Sequence, residues 1–199
     1  MREYKLIKAQ PYLCVCAALQ SVLLRHGYEL DQLEIAKQLG VTIPVSAIDN
    51  TTLQYQNLSF SDEEKELGTH LGRRTLNDFF KQNSIDLRET FVTKSEIGEF
   101  NFESILSSID ESFDALIFFD YGTLFNEIQN KGVGHCGLFV TIKESDLIYA
   151  DPGPRRFGLN KVSIDNIYDA IKIGHADAGI SVIGNNTSVI GCPICCTHF

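Results

Sequence analysis

Two cysteines, Cys14 and Cys16, stand at the front of the apolar run in "QPYLCVCAALQSVLLRHG", where a thiol could act as a nucleophile. Thiols attack as thiolates, and a helix N-terminus or an adjacent imidazolium makes the thiolate accessible near neutral pH. The helix start serves both cysteines equally, and for either one the other reading is a small hydrophobe in a core helix. The imidazole must come from elsewhere. In "GVGHCGLFVTIKESDLIYADPGP", His135 lies among glycines just before an apolar strand, and Asp151 ends the strand that follows. The second strand of a hairpin returns to the start of the first, so His135 and Asp151 become neighbours. Together with an early cysteine they make a Cys-His-Asp arrangement, in which the imidazole takes the thiol proton and the carboxylate fixes its tautomer. Gly132, Gly134 and Gly137 would leave room for a substrate backbone, or simply make a turn.

These side chains need elements to hold them. Apolar residues surround a helical wheel from Val15 to Leu24, which predicts a buried helix with the cysteines in its first turn and Gly27 just past its end. A second helix is expected in "LDQLEIAKQLG", capped by Asp31, stopped by Gly40 and facing inward with Leu33, Ala36 and Leu39. Residues 41–72 show no period, as in a lid or binding loop, and the acidic run "SDEEKE" within them reads as solvated. Third and fourth helices follow, with Leu76, Phe79 and Phe80, then Phe102, Ile105, Leu106 and Ile109, inward. Strands are expected in "IDLRETFV", "ALIFFD", "GLFVTI" and "DLIYAD", the last two joined at 143–145. A helix capped by Ser163 and a closing strand "GISVIG" end the series. The fold class is α+β, with helices segregated from an antiparallel sheet.

The order of these motifs carries a family resemblance. The cysteine-led helix "CVCAALQSVLLRHG", followed late in the chain by "GHCGLFV" and "YADPGP", resembles the papain-like cysteine peptidases of the bacteriocin-processing C39 and C39-like group. The resemblance implies a papain-like fold, with a nucleophile helix in an N-terminal helical part and a C-terminal antiparallel sheet. It implies that Cys14 is the nucleophile, His135 the general base and acid, and Asp151 the residue that orients it. It also implies an oxyanion-stabilising glutamine ahead of the nucleophile, for which Gln10 is the candidate. Gln10 is four residues before Cys14 and six before Cys16, whereas relatives place that glutamine six before the nucleophile. Helix register favours Cys14, because Ala17, Leu19, Val22, Leu23 and Gly27 then fall where the group has alanine, apolar residues and a terminal glycine. A loop absorbs a two-residue deletion more readily than a packed helix does. Cys16 lies about 200° around the helix from Cys14, so only one of the two faces a given cleft.

Composition sets the frame. The 199 residues suit one domain spanning 1–199, and 44% hydrophobic with 22% charged residues is ordinary for a globular protein. A formal net charge of -9 and the lack of a basic cluster argue against a nucleic-acid partner. With no secretory layout and no run near the roughly 20 apolar residues of a membrane span, a cytoplasmic protein with reduced thiols is expected. The expected partner is a peptide or protein substrate, and the catalytic reading needs no cofactor or metal. The other reading is a non-catalytic binding module, stabilised by zinc at Cys192, Cys195, Cys196 and His198 of "GCPICCTHF". Cys136 should point into the core from the strand face opposite His135. His26, His70 and His175 read as surface or helix-end residues, and Asp120 as a weaker rival to Asp151.

Overall fold

The computed structural model describes residues 2–47, 58–63, 67–69, 75–99 and 102–186. The first helix, α1 (Cys14–Arg25), contains neither glycine nor proline and buries Val15 to Leu19 together with Ser21, Val22 and Leu23. It ends where expected. Gly27 takes φ +82°, Tyr28 N–H bonds to Leu23 C=O at 2.9 Å and Gly27 N–H to Leu24 C=O at 3.1 Å, the paired closure that a left-handed glycine permits.

In α2 (Gln32–Leu39), Asp31 caps by accepting from the N–H groups of Leu33 and Glu34, and Gly40 closes the end at φ +68°. The buried face is Gln32, Ile35, Ala36 and Leu39. Leu33, expected inward, is only half-buried, because the inner stripe is rotated toward Ile35.

Within the stretch expected to lack structure, β1 (Thr42–Ile43) and β2 (Ser59–Phe60) pair in parallel, and Gly68 bridges to Thr42. Next come α3 (Leu76–Gln82), capped by Thr75, β3 (Leu87–Thr93), α4 (Lys94–Glu99) and α5 (Phe102–Ser108). The site-bearing region runs through β4 (Asp114–Asp120), α6 (Tyr121–Leu124), β5 (Gly134–Lys143) and β6 (Asp146–Asp151). Finally β7 (Gly158–Ser163), α7 (Ile164–Ile173) and β8 (Gly179–Asn185) complete the described elements. Ser163 caps α7 through Asn166 N–H, as expected.

Six strands form one antiparallel sheet in the order β3-β8-β4-β5-β6-β7, so the fold is α+β. Strand alternation divides its buried side chains between two cores. Leu116, Phe118, Cys136, Leu138 and Val140 pack with α1, α2 and α3 on one face. Ile117, Phe119, Phe139, Tyr149, Ile180 and Val182 pack with α4, α5 and α7 on the other.

Three features depart from the sequence expectation or go beyond it. Helices cover both faces of the sheet rather than standing apart from it, since both strand faces are apolar and each needs cover. The last strand, read only as the closing element in chain order, lies between β3 and β4, where Gly179 to Gly184 are all buried. Two short helices, α4 and α6, and the edge strand β7 arise from segments with too few apolar repeats to announce them.

An N-terminal arm runs back along α1. Arg2 donates to the carbonyls of Phe113, Ile109 and Val140 at 2.7, 2.6 and 3.1 Å. Farther along, Ile7 N–H bonds to Ser21 Oγ, and Ala9 N–H bonds to Pro152 C=O at 2.8 Å. The arm thus links the tail end of α1 to the loop after Asp151.

Candidate active site

Cys14 is the first residue of α1, and its side chain is half-buried. No side chain caps this end and no acidic residue occupies the first turn, so the positive end of the helix dipole is not neutralised locally. That favours negative charge developing on an oxygen held beside the first turn.

His135 comes from the start of β5 and pairs across the sheet with Phe119 of β4. Asp151 ends β6 and is fully buried. The β5–β6 hairpin, turning at 144–145, brings the two together: His135 Nε2 lies 2.9 Å from Asp151 Oδ1. The same oxygen accepts from Gly153 N–H at 2.7 Å, and Oδ2 accepts from Tyr149 Oη at 3.4 Å. Burial beside Asp151 pushes the Tyr149 phenol well above its ordinary value, so it stays a donor.

With Nε2 turned to the carboxylate, the other ring nitrogen is left for a partner, and the Cys14 side chain is near enough to act on the imidazole. Burial works against charge on the imidazole, but the hydrogen bond to Asp151 and the influence of Cys14 and Asp151 together outweigh it and raise its value to about 10. The proton is therefore held across the neutral range. Because the folded value exceeds the ordinary 6.5, the interaction stabilises the fold fully below about pH 6.5 and is lost as pH rises through about 10. Following the His135 ring nitrogens by NMR should give a midpoint near the upper value; a midpoint near 6.5 would mean that the neighbours do not hold the proton.

Two rings grip the imidazole edge-on. Phe119 lies 5.5 Å from it at 78°, and Tyr121 lies 5.4 Å away at 88°. Tyr121 Oη in turn accepts from Arg156 Nε at 3.2 Å. None of these aromatic neighbours was anticipated: "LIFFDY" reads as a buried strand end, and only the pairing of Phe119 with His135 gives its ring this place.

One of the three glycines flanking His135 has a steric reason. A Cβ on Gly137 would lie 2.5 Å from Tyr149 Cδ2 and 2.9 Å from Cε2. The ring occupies the space above Gly137 while its hydroxyl reaches Asp151. Gly137→Ala should cost about 1–3 kcal/mol of stability by overpacking and displace Tyr149 from the carboxylate. Thermal unfolding of the variant checks the first effect, and the alkylation rate of Cys14, expected to fall with it, checks the second.

The remaining residues fall outside this cluster of reacting groups. Cys16 is buried, and burial pushes its thiol far above the ordinary value; Cys136 is buried in the α1-side core and shifted the same way for the same reason. Both oxygens of Asp120 are engaged in local structure, Oδ1 with Thr123 N–H at 2.7 Å and Oδ2 with Gly132 N–H at 2.6 Å. It braces the turn before His135 and does not orient the imidazole. His175 bonds to the Gly132 carbonyl of the same turn, and His26 caps α1 against Asp114.

Gln10 lies one tight turn before α1. Its backbone N–H donates to Gln32 Oε1 at 2.9 Å, and its side-chain oxygen is buried without a hydrogen-bond partner among the described residues. Cys192, Cys195, Cys196, His198 and His70 lie outside the described residues. Among those described, no group of His, Cys, Asp or Glu side chains is arranged to hold a metal ion.

No protein-family model matches the sequence, and no curated protein matches it. Solved structures do match its fold. One described as a C39-like peptidase from Bacillus anthracis aligns over 91% of this chain and 98% of its own, at 13% identity and a TM-score of 0.55. The peptidase domain of Streptococcus ComA, a bifunctional ABC transporter of a quorum-sensing pathway, aligns over 92% of this chain and 100% of its own, with 12% identity and a TM-score of 0.52. A double-glycine-motif protease from an AMS/PCAT transporter, solved with its leader peptide, covers 92% of this chain and 93% of its own, at 12% identity and a TM-score of 0.50. The chain has the fold of C39-like peptidases.

Proposed function

We propose that this protein is a papain-like thiol hydrolase, a single domain over 1–199, that cleaves an amide bond in a peptide or protein segment. The observation that carries this reading is the His135–Asp151 pair, 2.9 Å apart, with the half-buried Cys14 beside the imidazole at an uncapped helix start. Shared fold with C39-like peptidases supports it, and a neighbour solved with a leader peptide supports a peptide as the substrate class.

In this reading the Cys14 thiolate attacks the carbonyl carbon, and the oxyanion is held by the Cys14 N–H and the Gln10 side-chain amide. His135 gives its proton to the leaving nitrogen as the C–N bond breaks, which leaves a thioester on Cys14 and a neutral imidazole. Water then attacks the thioester and passes its proton to His135. The acid departs, and the thiolate–imidazolium pair is restored. Asp151 keeps Nε2 engaged throughout, so the same ring nitrogen faces the reacting atoms in both halves. An amine in place of water would give acyl transfer with the same groups.

Among the described residues no helix is long and apolar enough to cross a membrane, and a cytoplasmic location is part of the proposal. The test is incubation with a complex peptide mixture followed by mass spectrometry. New peptide N-termini together with an acid-stable acyl adduct on Cys14 are expected. Intact peptides and an unmodified thiol would leave the fold without this activity.

A further inference from the structure

From Asp151 onward the chain reads "DPGPRRFG", which sets two arginines side by side in a protein of formal net charge -9. Both guanidiniums are held over aromatic rings. Arg156 Cζ lies 3.9 Å from the centroid of Phe125, and Arg155 Cζ lies 5.3 Å from that of Tyr121. A guanidinium ordered by a ring in this way loses less freedom when it takes a partner.

The rings have a firm base. Tyr121 and Phe125 meet at 4.7 Å, and the loop that carries them is pinned to the approach of His135. Tyr121 N–H bonds to Val133 C=O at 2.8 Å, and a Cβ on Gly122 would lie 2.3 Å from the carbonyl carbon of Asn130.

Charge is not balanced at this surface. The two arginines share one carboxylate, Glu127, with Arg156 Nη2 3.4 Å from Oε1 and Arg155 Nη1 3.8 Å from Oε2. That second oxygen already accepts from Asn130 Nδ2 at 2.5 Å. Arg156 is further committed by its bond to Tyr121 Oη, whereas the Arg155 side chain is 54% exposed and donates no hydrogen bond among the described residues. Positive charge and a planar set of donors are left over, and that combination suits a carboxylate.

The surplus lies next to the reacting groups. Tyr121 is the ring that meets His135 edge-on at 5.4 Å, so a single side chain separates Arg155 from the imidazole. Because His135 gives its proton to the leaving nitrogen, the segment after the cut lies on the imidazole side of the reacting bond.

Building on the thiol-hydrolase reading, we propose that Arg155, with Arg156 beside it, forms a carboxylate-binding subsite for the leaving segment of the substrate. The substrate class is a peptide that carries an acidic side chain, or its own terminal carboxylate, close after the cut. About three extended residues span roughly 10 Å, enough to reach from the imidazole past one ring to the guanidinium.

The test is cleavage of a randomised dodecapeptide library, supplied with free and with amidated C-termini, followed by mass-spectrometric sequencing of the products. In amidated peptides Asp or Glu should occupy the three positions after the cut about 5- to 10-fold more often than Lys or Arg, which identifies a side chain as the source of the carboxylate. Cuts confined to the last three residues of free-acid peptides identify the terminus instead. Arg155→Glu should abolish either preference, and in the side-chain case turn it toward Lys and Arg. Its melting temperature should stay within about 2 °C, since no hydrogen bond is lost. Each preference is a ratio within one protein, so partial unfolding does not imitate its loss. A carboxylate preference that survives Arg155→Glu, or cleavage through Cys14 with neither preference, overturns this inference alone. Intact peptides and an unmodified Cys14 remove the thiol-hydrolase reading with it.

Discussion

Cys14→Ala is expected to reduce peptide cleavage to background, a loss on the order of 10⁴- to 10⁶-fold, while Cys16→Ala keeps activity within a few-fold of the unaltered chain. The two residues are separated by one position and share a helix turn, yet their surroundings divide them. Cys14 is half-buried beside His135, whose proton is held across the neutral range. Cys16 is buried among Leu13, Leu19 and Val22, and burial holds its thiol protonated. Removing Cys16 should register instead as a loss of stability of about 1 kcal/mol, the scale of a small core truncation. Mapping which thiol reacts first with limiting iodoacetamide, alongside cleavage assays of both variants, distinguishes them. Activity that survives Cys14→Ala and disappears with Cys16→Ala would reverse the assignment.

Asp114→Ala is expected to produce the largest loss of stability of any single change at a distance from the site, about 3–5 kcal/mol, or roughly 6–20 °C in melting temperature. The carboxylate is fully buried at the start of β4 and is shared by three partners: Arg25 Nη1 at 2.7 Å, His26 Nε2 at 2.7 Å and Tyr4 Oη at 2.6 Å. Its removal leaves donors from two elements without their acceptor, in surroundings where water does not readily replace it. The consequence extends to the site because of how α1 and β4 are laid together. The helix, about 18 Å long, has its last turn fixed to the first residue of β4, and its first turn carries Cys14. The far end of β4 carries Phe119, paired with His135. A clamp at one end therefore sets the register of sulfur and imidazole at the other. Asp114→Ala should slow Cys14 alkylation as well as lower the melting temperature; an unchanged rate at a temperature well below unfolding would show that the clamp stabilises without positioning.

The hairpin half of the candidate site is legible in the sequence. Residue type and hairpin spacing bring His135 and Asp151 together, and the structure sets the two side chains 2.9 Å apart; that Cys14 works with them follows from the resemblance and belongs to the proposal. The hairpin relation was readable because it is local: a two-strand return needs only strand lengths and a short turn. Helix ends were readable for the same reason. Asp31, Ser163, Gly27 and Gly40 act within a few residues of where they stand, through side-chain caps or positive φ. What could not be read were contacts whose partners are distant in the chain. Phe119 and Tyr121 against the imidazole, Tyr149 over Gly137, and Arg2 across the carbonyls of Phe113 and Val140 depend on strand register and on which face of the sheet each helix covers. Asp120 illustrates the difference. By type and position it rivalled Asp151, and only the backbone N–H groups of Thr123 and Gly132 converging on it reveal that it is committed to the turn.

By itself the sequence determined the period of each long element, the ends of the helices and the set of side chains able to activate a thiol, because these follow from backbone sterics and local hydrogen bonding. The tertiary structure decided that helices cover both sheet faces, that the last strand lies inside the sheet, and that of the two early cysteines one is buried in the core while the other is half-buried. Those outcomes rest on burying two apolar sheet faces at once, a condition met by the whole chain and by no segment of it.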